Sequence, residues 1–274
     1  MTTVAAAAAV QRVSSRDNPL LVKLRKLAQQ PAAYRKLGEY WLEGEHLCAA
    51  AVARGMQADV ALITEDAWAD ARWQALAGSA RRIAIVPAAL FAAVSAVEAP
   101  LGLGFLMVHQ PPTQPLPAVD TVVLDRLQDA GNVGTILRSA AAFGVRQVLA
   151  LRGTAALWSP KVLRAGMGAH FALQLVEQLS ADDLAALQLP LVATSSHAAQ
   201  AVCDARLPSP CAWLLGHEGQ GVAPDLLARC ALTVGIPQPG GEESLNVGVA
   251  ASVCLYEAMR QRRQARAAAG PAGA

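Results

Sequence analysis

The sequence predicts an α/β protein built as two successive layered domains, and three observations carry that expectation. Short apolar runs alternate with helical patterns twice along the chain, over residues 15–109 and again over 119–262. Between them, Gln110-Pro-Pro-Thr-Gln-Pro-Leu-Pro117 places four prolines in eight residues. Such a stretch continues neither a helix nor a central strand, so residues 110–118 read as a stiff linker. Composition agrees: 54% of the 274 residues are hydrophobic and 16% charged, which demands a packed core and excludes general disorder.

Taken in order, residues 1–14 read as a tail. Asn18-Pro19 is a helix start, with Asn as cap and Pro at the first helical position. Leu20, Leu21, Leu24 and Leu27 then form an apolar stripe opposite Lys23, Arg25 and Lys26. Strands are expected at 40–42, 58–63, 82–86 and 104–109, and helices at 45–54, 66–77 and 88–97. In the second domain, a strand at 122–124 enters a turn-rich loop over 125–134, followed by a helix at 135–143 and a strand at 147–151. Ser159-Pro160 caps and starts a helix reaching about residue 167. Residues 191–193, 212–215 and 232–236 read as buried strands, with short helices at 182–187 and 224–230. Strands that are apolar throughout and separated by helices imply a mostly parallel sheet covered on both faces. In such sheets ligands sit beyond the carboxyl ends of the strands. Ser244 opens a final helical pattern, and residues 263–274 read as a second tail.

The net charge of +2 is too small to announce a nucleic-acid binder, but its distribution is uneven. Arg12, Arg16, Lys23, Arg25, Lys26, Arg35 and Lys36 face a single acid, Asp17, between positions 12 and 36. That set suits phosphate binding, and equally a solvated helix face. The five cysteines show no CxxC pairing and no His at metal spacing. Reduced thiols, no metal and a cytoplasmic location are expected. The start lacks the charged and apolar regions of a signal peptide, and no apolar run is long enough to span a bilayer.

Three loops in the second domain carry polar groups that ordinary loops do not need. The first is Asn132-Val-Gly134, with Arg138 one helical turn further on. The second is Leu215-Gly216-His217-Glu218-Gly219-Gln220-Gly221. The third runs from Ile236-Pro-Gln238-Pro-Gly240 to Ser244-Leu245-Asn246-Val247. Singly, each has an ordinary structural explanation: an exposed helix charge, a solvated turn acid, an N-cap. A Rossmann oxidoreductase is excluded in practice, because no G-x-G-x-x-G follows the first strand.

In their order and spacing these loops resemble the three signature motifs of the TrmH/SpoU family of RNA ribose 2′-O-methyltransferases, within the SPOUT superfamily. The resemblance covers about residues 120–262. Ser15-Arg16-Asp-Asn18-Pro19 and Trp41-Leu42-Glu43-Gly44-x-His46-Leu47 more loosely resemble that family's L30e-like substrate-binding domain. The resemblance implies a catalytic sheet whose C-terminal segment forms a deep trefoil knot, a homodimer, and S-adenosylmethionine as methyl donor. It places the donor against Thr194, Ser195, Leu215, Gly216, Glu218, Gly219, Ile236, Gln238, Ser244 and Leu245. It implies catalytic roles for Arg138, Asn132, Glu218, Ser244 and Asn246. In the family the Arg is assigned to activating the 2′-hydroxyl; a guanidinium that stays protonated suits a clamp on phosphate and developing alkoxide better than a base. Arg16, Lys23, Arg25, Lys26, Arg35 and Lys36 would meet the RNA, with ribosomal RNA favoured over transfer RNA. Ala130 stands where Pro is common, and Gly166 and Gly248 where Ser is frequent. A non-catalytic RNA-binding protein of the same fold is the competing expectation.

Overall fold

The structure is a computed structural model that describes residues 9–240 and 244–268. The expected tail positions 1–8 and 269–274 lie outside the described residues. The chain divides into two compact units, Met1–Gln110 with Trp158–Phe171, and Pro111–Leu157 with Ala172–Ala274.

The first unit begins with β1 (Ala9–Arg12), α1 (Pro19–Gln29), α2 (Ala33–Leu37), β2 (Glu39–Glu43) and α3 (Glu45–Ala53). It continues with β3 (Val60–Thr64), α4 (Glu65–Trp68), α5 (Ala71–Ala77), β4 (Arg82–Val86), α6 (Ala88–Val94) and β5 (Leu103–Val108). The sheet order is β1-β4-β3-β5-β2, with β5 antiparallel to both its neighbours. Asn18 caps α1 as its sequence implies, its side-chain oxygen accepting the Leu20 N–H at 2.9 Å. Leu21, Leu24 and Leu27 are buried beneath it.

Two expectations need correction here. Residues 9–12 are no tail: they form an edge strand parallel to β4. All four residues are exposed, so main-chain pairing holds them and no apolar alternation could have marked them. The single helix expected over 66–77 is two, because the Asp70 carboxylate accepts the Arg72 N–H and restarts the helix.

The chain enters the second unit with β6 (Thr121–Leu124), α7 (Ala130–Ala142) and β7 (Gln147–Leu151), then leaves it for α8 (Pro160–Gly166). That helix, expected to belong to the second domain, groups with the first unit. Trp158 stacks on Tyr40 with ring centroids 4.6 Å apart, and a Cβ on Gly168 would meet the Ala50 methyl at 2.8 Å. Gly166 has its own reason to lack a side chain: a Cβ there would stand 2.6 Å from the buried His170 ring.

The second unit resumes with β8 (Gln174–Leu179), β9 (Leu191–Thr194), β10 (Ala212–Leu215), α9 (Pro224–Leu227), β11 (Leu232–Val234) and α10 (Val247–Ala268). Its six strands, in the order β11-β9-β10-β6-β7-β8, are parallel throughout. Val123, Leu149, Val176, Ala193 and Leu214 form one core layer, closed by Leu184, Leu187 and Leu226. Strand β8 was not expected, since Gln174, Glu177 and Gln178 interrupt its apolar run. Helix α7 starts at Ala130, five residues before its expected start, because Asp129 caps it by accepting the Asn132 N–H at 2.7 Å. Residues 263–268, expected as tail, continue α10.

Helices α7 and α10 pack together, with Ser139 and Ser252 hydroxyls 2.7 Å apart and Phe143 edge-on to Tyr256. Arg262 fixes the far half of α10 by binding Asp120 at 3.0 Å and the Phe143 carbonyl at 2.8 Å. Gly248 is the close approach: a Cβ there would press on Thr135 Cγ2 at 3.1 Å. Burial pushes the Cys211 and Cys254 thiols up to about 12, mainly by desolvation, which leaves them as inert packing groups.

Candidate active site

Strands β6, β9, β10 and β11 all end on one edge of the parallel sheet, and the segments that follow β9, β10 and β11 enclose a cavity of about 300 Å³. From β9 come Thr194, Ser195 and Ser196; from β10, Gly216, His217, Glu218 and Gly221. Val234, Ile236 and Gln238 follow β11, and Ser244, Leu245, Asn246, Val247 and Ala250 close the cavity at the start of α10. The volume lies in the range of small-molecule sites, roughly 300–1,000 Å³.

The turn after β10 is built tightly. His217 and Gly221 exchange backbone hydrogen bonds of 3.0 and 2.8 Å. A Cβ on Gly216 would coincide with backbone atoms of Gly221 and Val222, so only glycine fits. Below the turn, the buried Asp125 accepts the Ala223 N–H at 2.8 Å and binds Arg126, whose guanidinium also reaches Gln220. Asp125, Arg126 and Asp129 were not singled out from the sequence. Acids just beyond the carboxyl end of a parallel strand are the signal that could have found them.

A chain of hydrogen bonds links two residues of the cavity lining, Glu218 and Asn246, through Asn132. The Glu218 carboxylate accepts from the Asp129 N–H and the Asn132 amide, both at 3.2 Å, and from the Gln128 N–H at 3.4 Å. Asn132 Oδ1 accepts from the Asn246 amide at 2.8 Å. Asn246 Oδ1 in turn accepts the Gly248 and Val249 N–H groups at 2.9 and 3.2 Å. Partial burial opposes ionisation of Glu218, but hydrogen bonds from its own N–H, Asn132, Asp129 and Gln128 outweigh it. They hold the carboxyl below its ordinary range. Asn246, and not the expected Ser244, is therefore the cap of α10; Ser244 lies two residues before it on the cavity wall.

Eight of the ten residues expected to hold a cofactor line this cavity: Thr194, Ser195, Gly216, Glu218, Ile236, Gln238, Ser244 and Leu245. Two do not. Leu215 is buried in β10 at 1% exposure, packed into the sheet because it is the last strand residue. Gly219 sits at the apex of the turn, its N–H donated to His217 Nδ1. Of the expected catalytic residues, Asn132, Glu218 and Asn246 form the network just described. Arg138 is exposed on α7, outside the cavity lining, and makes no hydrogen bond or ion pair among the described residues.

Of the expected RNA-facing cations, Arg16, Lys26, Arg35 and Lys36 are exposed, with Arg35 over the Tyr34 ring at 5.4 Å. Lys23 is paired with Glu39 at 2.7 Å and Arg25 donates to the Arg16 carbonyl at 2.7 Å, so both are engaged within the first unit. Among the described residues no group of three or more His, Cys, Asp or Glu could hold a metal ion, and no helix is long and apolar enough to cross a membrane.

The cavity's chemistry suits a small ligand with both apolar and amino-bearing parts. Val234, Ile236, Leu245 and Ala250 give an apolar wall. Gln238 Oε1 is buried with no hydrogen-bond partner among the described residues, an acceptor suited to an N–H donor.

Comparison with known proteins identifies the family of this chain. The model of the SpoU rRNA Methylase family matches residues 120–256. An uncharacterized tRNA/rRNA methyltransferase of Synechocystis sp. is 33% identical over 92% of this chain and 95% of the relative. A 23S rRNA guanosine 2′-O-methyltransferase of Bacillus subtilis is 32% identical over 61% of this chain and 68% of its own. Among solved structures, an RNA 2′-O ribose methyltransferase superposes with a TM-score of 0.76 at 30% identity, covering 92% of this chain and 99% of that one. The SpoU methyltransferase AviRb of Streptomyces viridochromogenes, in complex with AdoMet, gives 0.78 at 26% identity, covering 90% and 100%. This chain belongs to the SpoU rRNA methylase family.

Proposed function

We propose that the protein transfers a methyl group from S-adenosylmethionine to a ribose 2′-hydroxyl of ribosomal RNA. The observation that carries this reading is the Glu218–Asn132–Asn246 chain of hydrogen bonds, whose two ends line a cavity at the carboxyl edge of the sheet. Relatives with a named activity act on 23S rRNA, which favours ribosomal over transfer RNA and a cytoplasmic location. The test is to map 2′-O-methyl positions in total RNA with and without the gene; one ribosomal position should lose its methyl group. An unchanged ribosomal map with a lost transfer-RNA methyl would move the substrate.

The residues present fit the cofactor. Ile236, Leu245 and Val234 would hold its ring, Gln238 Oε1 would accept an amino group, and the glycine turn brings backbone close. The cofactor supplies an already activated methyl on its sulfonium. What this chain adds is alignment of the ribose and stabilisation of charge on its oxygen. Glu218, Asn132 and Asn246 hold the start of α10 and the cavity wall in fixed positions, with Ser244 beside them. The Arg138 guanidinium clamps the phosphate next to the target and favours the developing 2′-alkoxide.

We further infer that the C-terminal segment threads a loop as a deep trefoil knot, an exception to the rule that chains avoid threading. Support comes from Gly235, whose N–H donates to the Gln200 carbonyl while its own carbonyl accepts from Val202, both at 2.8 Å. The loop after β9 thus grips the exit of β11. The first unit serves as an L30e-like RNA-binding domain. A variant with Lys26, Arg35 and Lys36 all changed to Ala should bind RNA more weakly. Its log Kd against log salt slope should fall by about 2–3, roughly 0.7–0.9 per lost phosphate contact, which salt titration of RNA binding measures.

Dimerisation through α10 completes the proposal. Val249, Val253 and Tyr256 of α10 are 38–52% exposed at spacings that place them on one helical face. Val253→Arg should convert a dimer into a monomer in light scattering. A dimer that survives unchanged places the interface elsewhere.

A further inference from the structure

His217 lies between two residues of the site and lines the cavity. Among the described residues its ring is held by one bond: Nδ1 accepts the Gly219 N–H at 3.0 Å. A ring nitrogen that accepts carries no proton, so the imidazole is neutral with its hydrogen on Nε2. Protonation would place an N–H on Nδ1, facing the N–H of Gly219 donor to donor. The bond would be lost and a repulsion put in its place.

The turn that this bond closes holds the site together. His217 and Gly221 pair through their backbones, Gly216 fits against Gly221 with no room for a Cβ, and Glu218 reaches across to Gln128, Asp129 and Asn132. Opening the turn at Gly219 would loosen both the glycine contact and the Glu218 anchor. Among the described residues, no acid forms an ion pair with His217 to favour its charged form. Glu218, on the same turn, is engaged by Asn132 and two backbone donors. Asp129, opposite, caps α7, and Arg126 binds Asp125 while reaching Gln220. Residues 194–196, 234–238 and 244–250 bring no charged side chain to the cavity wall.

We propose that His217 is a positioning residue for the cofactor turn, holding residues 216–221 in their binding geometry only while its imidazole is neutral. This rests on the reading of the cavity as the S-adenosylmethionine site. A cationic imidazole there would also oppose the positive sulfonium, so both effects weaken binding in the same direction as pH falls.

The test is calorimetric binding of S-adenosylmethionine to the full chain across about pH 5.5 to 8.5. Wild-type affinity should fall as pH falls, by at most about tenfold per unit. H217A should bind about fivefold more weakly than wild type at high pH, as expected for one lost hydrogen bond, and show no such fall. H217N places Oδ1 where Nδ1 stood but cannot titrate; it should recover most of what H217A loses and stay flat with pH. A wild-type profile as flat as that of H217N, or H217N as weak as H217A, overturns the proposal. Nitrogen NMR of the imidazole in the free protein gives an independent answer. An unprotonated Nδ1 at neutral pH supports the assignment, and a protonated one sinks it. Failure of wild type to bind S-adenosylmethionine at any pH would overturn the cofactor reading instead, and the nitrogen spectrum would then decide the imidazole bond by itself.

Discussion

Arg138→Ala should lower the rate of methyl transfer by roughly 10²- to 10³-fold, the loss expected when a donor to transition-state charge is removed. Affinity for S-adenosylmethionine should stay within about twofold of wild type. The two halves of this expectation come from the same geometry. Arg138 is exposed on α7, makes no hydrogen bond or ion pair among the described residues, and does not line the cavity. Its removal therefore breaks nothing that shapes the cofactor site, and the fold should keep its melting temperature. A lysine at 138 retains the charge but not the planar fork of donors, so Arg138→Lys should recover only part of the rate. If the guanidinium acted as the base, lysine would titrate lower and shift the pH–rate profile; a clamp leaves the profile in place. Single-turnover transfer with labelled donor, beside calorimetric binding, reads both quantities. Loss of binding together with transfer would mean that Arg138 supports the fold.

The sequence revealed the second unit's layout because its strands are apolar on both faces. Val122–Leu124, Gln147–Leu151 and Ala212–Leu215 are buried along their length, and such runs read as central parallel strands without further help. What stayed hidden had no apolar signature. Strand β1 is held by backbone pairing to β4 with every side chain exposed, and β8 interrupts its buried leucines and valine with Glu and Gln, out of step with either period. The affiliation of α8 rests on long-range contacts such as the aromatic stack between Trp158 and Tyr40, a contact across more than a hundred residues that no local pattern contains. At the site, the motif residues were readable but their partners were not. Glu218 and Asn132 lie 86 residues apart, and Asn132 and Asn246 lie 114 apart. Spacing could say that each belonged to a loop at a strand end; only the fold shows them as one chain of hydrogen bonds. The same holds for Gly248 and Gly166, which looked like lost hydroxyls and are places where Thr135 and His170 leave no comfortable room for a Cβ.

Gly216→Ala should abolish cofactor binding and destabilise the second unit, because the added methyl has nowhere to go. Its Cβ would coincide with the Gly221 carbonyl carbon and the Val222 nitrogen. Both are backbone, so no side-chain rotation relieves the overlap. The turn must open, and with it go the two His217–Gly221 hydrogen bonds and the anchorage of Glu218 at Asn132 and Asp129. Overpacking costs about 1–3 kcal/mol and each of the two lost hydrogen bonds about 1 kcal/mol, so a total of about 3–5 kcal/mol is expected. In a unit of this size that lowers Tm by roughly 6–20 °C. Affinity for S-adenosylmethionine should fall by more than about 100-fold, since the turn forms one wall of the cavity. Gly221→Ala is the control on the same turn. It has φ of +67° but nothing within 4 Å of the added Cβ, so its cost is backbone strain alone, about 1–2 kcal/mol. It should bind the cofactor within about tenfold of wild type. Calorimetry and thermal melts on the two variants separate close packing from backbone conformation. Equal losses in both would show that the left-handed residue, and not the contact at Gly216, sets the shape of the turn.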